Sequence, residues 1–244
     1  MRIFYDFHIH SCLSPCGSED MTPYNLVNMA ALNQLDVIAL TDHNTCLNCP
    51  AAMEAGRQAG IAVIPGMELT TSEEAHVVCL FPGLEQALAF GEYVYARLPD
   101  IENRPDIFGR QDIMDAGDRV VGSLQKLLIN ATDISIAQVV SLTAGYQGFC
   151  FPAHIDKSAY SILSNLGDFP PEYGFRAAEI SAAGDIEALC RQYPLLSGLP
   201  LLLSSDAHYL EQMTAPAAWI EATASSPAAV LRALADGCKW GRSD

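Results

Sequence analysis

The chain is 244 residues long, half of them hydrophobic, with 13 basic against 29 acidic residues and a formal net charge of -16. That length and apolar content fit one large domain better than several small ones. The negative balance repels a long polyanion such as duplex nucleic acid unless bound cations reverse the field locally. The longest apolar stretch, 195–203, is broken by Ser197, Gly198 and Pro200 and falls short of the roughly 20 residues a bilayer span needs, so no membrane segment is expected.

The first residues carry one base and no apolar run behind it, which reads as a cytoplasmic chain without a leader, where the eight cysteines are expected as thiols. A first strand at 3–7 runs into Asp6-Phe7-His8-Ile9-His10, where the two-residue period puts Asp6, His8 and His10 on one face. A helix at 22–34 opens with Thr22 as cap and Pro23 in its first turn. A strand at 36–40 leads to Thr41-Asp42-His43-Asn44, a helix at 51–60 to a strand at 62–65, and that strand to Gly66-Met67-Glu68. Glu74-Ala75-His76 precedes a strand at 77–81, and a helix at 84–97 follows. Residues 99–132, with Pro99, Pro105, many acids and weak periodicity, read as a long excursion that could serve as a lid. Beyond it come a helix at 134–145, a strand at 148–152 ending in Pro152-Ala153-His154, a strand at 177–180 and a helix at 185–193. A strand at 201–204 leads to Ser204-Ser205-Asp206-Ala207-His208, and a strand at 217–220 and a helix at 227–236 complete the chain. Strand and helix in alternation predict a parallel α/β sheet, open or closed into a barrel, in one domain spanning 1–244.

All six histidines fall at or beside a strand end. One such histidine is ordinarily a solvated or hydrogen-bonded residue, but parallel strands bring their C-terminal ends to one mouth, so six with Glu68 and Asp206 converge. Clustered imidazoles repel once protonated, whereas a divalent cation keeps them neutral and uses their lone pairs. Imidazole with carboxylate suits zinc, manganese and iron alike.

The set DFHIHS, TDHNT, PGMELT, His76, PAHIDK and SSDAH resembles the PHP family, named for polymerase and histidinol phosphatase. The resemblance implies a distorted seven-stranded β/α (TIM-like) barrel. It also implies two or three divalent metal ions and hydrolysis of a phosphate ester by a hydroxide bridging two of them. By position it assigns His8, His10, Glu68 and Asp206 to a first metal, Glu68, His76 and His154 to a second, and His43 and His208 to a third. Asp6 and Asp42 would accept from ligand imidazoles. Glu68 would be catalytic as the bridge, and the leaving group's proton or cation would come from Asp206, His208 or the third metal. The family usually places an aspartate or histidine where this chain has Pro15 and Cys16. The third site then takes Cys16, or Glu19 or Asp20, or stays weak and leaves two firm metals.

Positive charge for the phosphate is scarce, and Lys157 is the first candidate, followed by Arg110 and Arg176. A small phosphorylated substrate is expected: a nucleotide, a nucleic-acid end or a metabolite resembling histidinol phosphate. Two other readings stand beside this one. An amidohydrolase cleaving C–N or lactone bonds would want a carbamylated lysine or a barrel-end aspartate as base, and with only three lysines, Lys126, Lys157 and Lys239, no strand end carries an obvious one. A non-enzymatic metal or redox sensor would use Cys12, Cys16, Cys46 and Cys49 as a four-thiolate site.

Overall fold

A computed structural model describes residues 1–243. Its first part runs β1 (Arg2–Ile9), α1 (Pro23–Leu32), β2 (Val37–Leu40), α2 (Cys49–Ala59), β3 (Ala62–Thr70), β4 (His76–Leu80) and α3 (Leu84–Tyr95). The excursion holds a short helix α4 (Pro105–Phe108) and a hairpin of β5 (Asp112–Met114) and β6 (Val120–Ser123). The remainder is α5 (Ile136–Gly145), β7 (Phe149–Pro152), α6 (Ile162–Leu166), β8 (Ala178–Ser181), α7 (Ile186–Gln192), β9 (Leu201–Ser204), β10 (Ala218–Glu221), α8 (Pro227–Ala235) and β11 (Trp240–Arg242).

The main sheet has seven strands in the order β11-β10-β1-β2-β3-β4-β7, and β8 and β9 form a separate parallel pair. That pair lies between the sheet's two arms. Ile155 N–H donates to Glu179 O at 2.8 Å on the β7 side, and His10 N–H donates to Ala207 O at 3.0 Å on the β1 side. Five strands of the sheet (β1, β2, β3, β4 and β7) with β8 and β9 therefore surround one mouth. At these two seams a single backbone-to-backbone hydrogen bond each, helped by side chains such as Glu179 and Asp6, replaces a continuous ladder, which is the distortion of the barrel.

The parallel expectation fails at β4 and at β10, which pairs antiparallel with β1 at the sheet's far arm. β4 runs antiparallel to both β3 and β7, because only Thr71 to Ala75 separate it from β3 and a parallel crossover needs about a dozen residues. His76 thus stands at the start of its strand and still faces the mouth. β3 also outruns the predicted 62–65: its first four residues pair with β2 and Gly66 to Thr70 pair with β4. Pro65 closes the β2 pairing, so the proline that hides the strand in the sequence marks a change of partner.

The excursion is fastened to the loops that carry the site. Asn48 Oδ1 accepts from Met114 N–H at 2.8 Å, and Asn44 Nδ2 donates to Leu128 O at 2.7 Å and Asn130 O at 3.0 Å. Leu13, Leu98 and Leu128 form a small apolar cluster beneath it, apart from the main core. Of this segment, Ile129 reaches the wall of the cavity at the mouth. Among the described residues no helix is long and apolar enough to cross a membrane.

Candidate metal centre

Glu68, buried near the end of β3, is the hub of the mouth. Its Oε1 lies 3.2 Å from His8 Nε2, 2.8 Å from His76 Nδ1 and 3.2 Å from His154 Nε2, and its Oε2 lies 3.3 Å from His10 Nε2 and 3.1 Å from His43 Nδ1. Asp206 Oδ1 adds approaches of 3.4 Å to His8 Nε2 and 3.3 Å to His10 Nε2. Three groups of donors are close enough to share a cation each: His8, His10, Glu68 and Asp206; His43, Glu68 and His76; His10, His43 and His208. His154 touches Glu68 beside the second group. Cys16 belongs to none of the three, although it lines the same cavity and its thiol is a neighbour of His43.

Hydrogen bonds fix two tautomers and with them the case for metal. His8 Nδ1 sits 3.0 Å from both oxygens of Glu179, and His10 Nδ1 sits 3.0 Å from Ser14 Oγ, which itself donates to Asp42 at 2.7 Å. Both Nδ1 atoms therefore donate, leaving lone pairs on Nε2 atoms only 3.2 Å apart. Two lone pairs at that separation repel unless a proton or a cation lies between them. Nδ1 of His43, His76 and His154 and Oδ1 of Asp206 are buried and, despite the close approaches above, meet no partner in hydrogen-bond geometry, a concentration of unpaired polar atoms that metal ligation would account for.

Charge in the cluster is divided. Burial pulls the His10 pKa down, but the Asp206 and Glu68 carboxylates beside its Nε2 outweigh it and bring it up to about 9. His43 also reaches about 9, with burial opposed mainly by the Glu68 charge. His208 falls to about 3 through burial and the charge of His10. For Glu68 burial acts upward, yet His76, His8 and His43 hold its carboxyl well below the usual range. The site thus requires positive charge but repels its accumulation as protons on every ring.

Three contributors were not singled out from sequence. Glu179 on β8 is buried, orients His8 and accepts from His154 N–H at 3.0 Å; its signal is a lone acid at the end of an apolar strand. Ser14 relays Asp42 to His10 and accepts from His43 N–H at 3.2 Å. Tyr160 lines the cavity with its ring stacked on His76. The expected imidazole contacts of Asp42 and Asp6 are replaced. Asp42 acts through Ser14, and Asp6 accepts from the backbone N–H groups of His8 and Ser205, because the strand turns its carboxylate toward the chain.

Other candidates separate cleanly. Lys157 lines the cavity and ion-pairs with Asp206. Arg110 instead pairs with Asp112 at 2.9 Å and Glu19 at 3.5 Å on the outside of the excursion, which also removes Glu19 from the mouth. Asp20 is exposed and outside the lining. Arg176 is exposed ahead of β8, at the end of that strand away from the mouth. The four cysteines do not converge. Cys16 is exposed, Cys12 lies against Asp112 of the hairpin, and Cys46 and Cys49 pack against Gly66 O. Burial pushes the Cys12 thiol up to about 12 and Cys46 well above its ordinary value, the opposite of what a thiolate cluster requires.

Residues 6–163 match the PHP domain, and the chain belongs to that family. A 5'-3' exoribonuclease, Rnm, of Salmonella typhimurium is 36% identical over 78 residues, covering 31% of this chain and 26% of that protein. The lesion-specific endonuclease PfuEndoQ from Pyrococcus furiosus superposes with a TM-score of 0.73 at 17% identity, over 99% of this chain and 58% of that one. A complex of Endonuclease Q with a 27-mer duplex carrying an abasic lesion gives a TM-score of 0.69 at 17% identity, over 98% and 58%. The chain thus spans about a quarter of the curated relative and somewhat over half of the structural neighbours.

Proposed function

We propose that this chain hydrolyses phosphate esters with two or three divalent cations held by His8, His10, His43, Glu68, His76, His154, Asp206 and His208. The observation that carries the reading is Glu68, approached on both oxygens by five imidazoles at the floor of a cavity of about 550 Å³. When bound, such cations polarise phosphoryl oxygens and bring a water's pKa toward neutrality. Glu68 is placed to span two donor groups. With its Nδ1–H given to Asp206 O at 2.8 Å, His208 keeps Nε2 to hold a proton or a cation where the leaving group departs. Lys157, kept charged by Asp206, offers its ammonium at the wall as a grip for phosphate.

Nucleotides, nucleic-acid ends and small phosphorylated metabolites are the substrate classes this cavity suits. The net charge disfavours a long duplex, but a structural neighbour bound to one weakens that argument, since a field is local at the cations. The amidohydrolase reading lacks a free strand-end lysine: Lys126 donates to Leu98 O, Lys239 lies beside Glu221, and Lys157 is engaged with Asp206. The test is a panel of phosphomonoesters, nucleotides, 5'-phosphorylated oligonucleotides, amides and lactones, run with manganese, zinc and iron in turn. Turnover confined to phosphate esters and abolished by chelation is expected; turnover of amides or lactones alone would overturn the reading.

A further inference from the structure

The loop after His154, through Ser161, builds a wall of the cavity beyond the metal donors. Lys157, Ser158, Ala159 and Tyr160 all line it. Tyr160 is 51% exposed, unusual for an aromatic side chain inside a cavity, and its ring stacks on His76 with centroids 4.9 Å apart and an interplanar angle of 20°. With one face against His76, the ring has its other surface to offer. Its backbone sits in the left-handed region at φ 54°, a conformation that is unfavourable for a bulky residue and persists where surroundings enforce it. Those surroundings are explicit: Tyr160 O accepts from His76 N–H at 2.9 Å, and Ser161 Oγ donates to Lys157 O at 2.8 Å. The ring and the ammonium are thus fixed on one short loop, the small residues Ser158 and Ala159 between them.

We propose that Tyr160 is a stacking platform for an unpaired nucleobase, so that the substrate is a nucleoside phosphate or a single-stranded end rather than a phosphate ester without a planar ring. This rests on the phosphoesterase reading. A flat aromatic face is recognised by another flat ring, with stacking worth about 1–3 kcal/mol per base in single-strand binders. A cation on the same loop grips the phosphate while the ring holds the base, and prior fixing of both lowers the ordering cost of binding. The cavity, about 550 Å³, lies within the range of sites that enclose a small organic ligand. A base paired inside a duplex has no free face, so the platform selects single-stranded or mononucleotide substrates.

The experiment compares adenosine 5'-monophosphate with glycerol phosphate on the wild type, Tyr160→Ala and Tyr160→Phe, with metal content measured in each. Tyr160→Ala is expected to raise KM for the nucleotide roughly tenfold more than KM for glycerol phosphate, and Tyr160→Phe to restore the wild-type ratio. Free adenosine, followed by calorimetry, is expected to bind the wild type roughly tenfold more tightly than Tyr160→Ala. If both KM values rise together, or metal is lost, Tyr160 acts only by supporting His76 and the proposal is overturned. If the wild type turns over neither ester with any metal, the phosphoesterase reading fails, and the adenosine measurement decides the platform by itself.

Discussion

A buried carboxylate on β8 governs the first donor group. Glu179 takes the Nδ1–H of His8 and the backbone N–H of His154, so it sets the tautomer of one candidate ligand and the position of another. Glu179→Gln keeps the volume and removes the charge, and we expect metal affinity to fall roughly 10- to 100-fold, measured by competition with a chelator; unchanged affinity would contradict the role. The all-imidazole group of His10, His43 and His208 lacks an anionic donor, and we propose Cys16 as its completion. Metal analysis of Cys16→Ala is then expected to show one equivalent lost, with Glu19→Ala and Asp20→Ala at full content; full content in Cys16→Ala would exclude the thiolate. Protonation gives a third expectation. His10 and His43 carry folded-state pKa values of about 9 against an ordinary 6.5. Their contribution to stability is therefore complete below pH 6.5 and is lost as pH rises through 9. The metal-free protein is expected to lose melting temperature across that window, and metal addition near pH 7.5 to release protons into a weak buffer. A flat melting profile with no proton release would refute it. The histidines were legible because alternation in Asp6-Phe7-His8-Ile9-His10 gives them a shared face. Glu179 was not, because a single acid in Ala-Glu-Ile-Ser has no repeat to mark it and its partners lie 25 and 171 residues away.

Among the elements, the alternation of apolar runs and helices disclosed the barrel strands, and turn chemistry hid the departures. β4 reverses because its connection to β3 is five residues long, which becomes visible only once β3 is known to continue past Pro65. The excursion's hairpin has a mostly exposed β6 and a three-residue β5, too short for an alternating pattern to register. The hand-over within β3 depends on Gly66, where an added Cβ would stand 2.6 Å from Cys79 O and 2.8 Å from Leu80 Cδ2. Backbone cannot yield there without moving β4 away from Glu68. Gly66→Ala is expected to destabilise the protein by about 1–3 kcal/mol and to weaken metal binding as well, read by urea unfolding and chelator competition. A stable variant with intact metal affinity would show that β3 and β4 can separate without disturbing the site.

For the molecule as a whole, a chain of net charge -16 must invert its field at the mouth if it is to take the proposed anionic substrate. Lys157 is the basic side chain on the cavity wall, and it is already paired with Asp206. On the proposed reading the cations are the means by which phosphate is attracted and activated, and the barrel's strands are the means by which the donors are held. The most direct measurement is phosphate release from a nucleoside monophosphate as metal-free protein is titrated with manganese, zinc or ferrous iron, alongside His8→Ala checked for fold by circular dichroism. The account predicts that turnover rises with bound equivalents in the wild type and stays near background in a folded His8→Ala. Full turnover in the chelated wild type, or in His8→Ala, would contradict it.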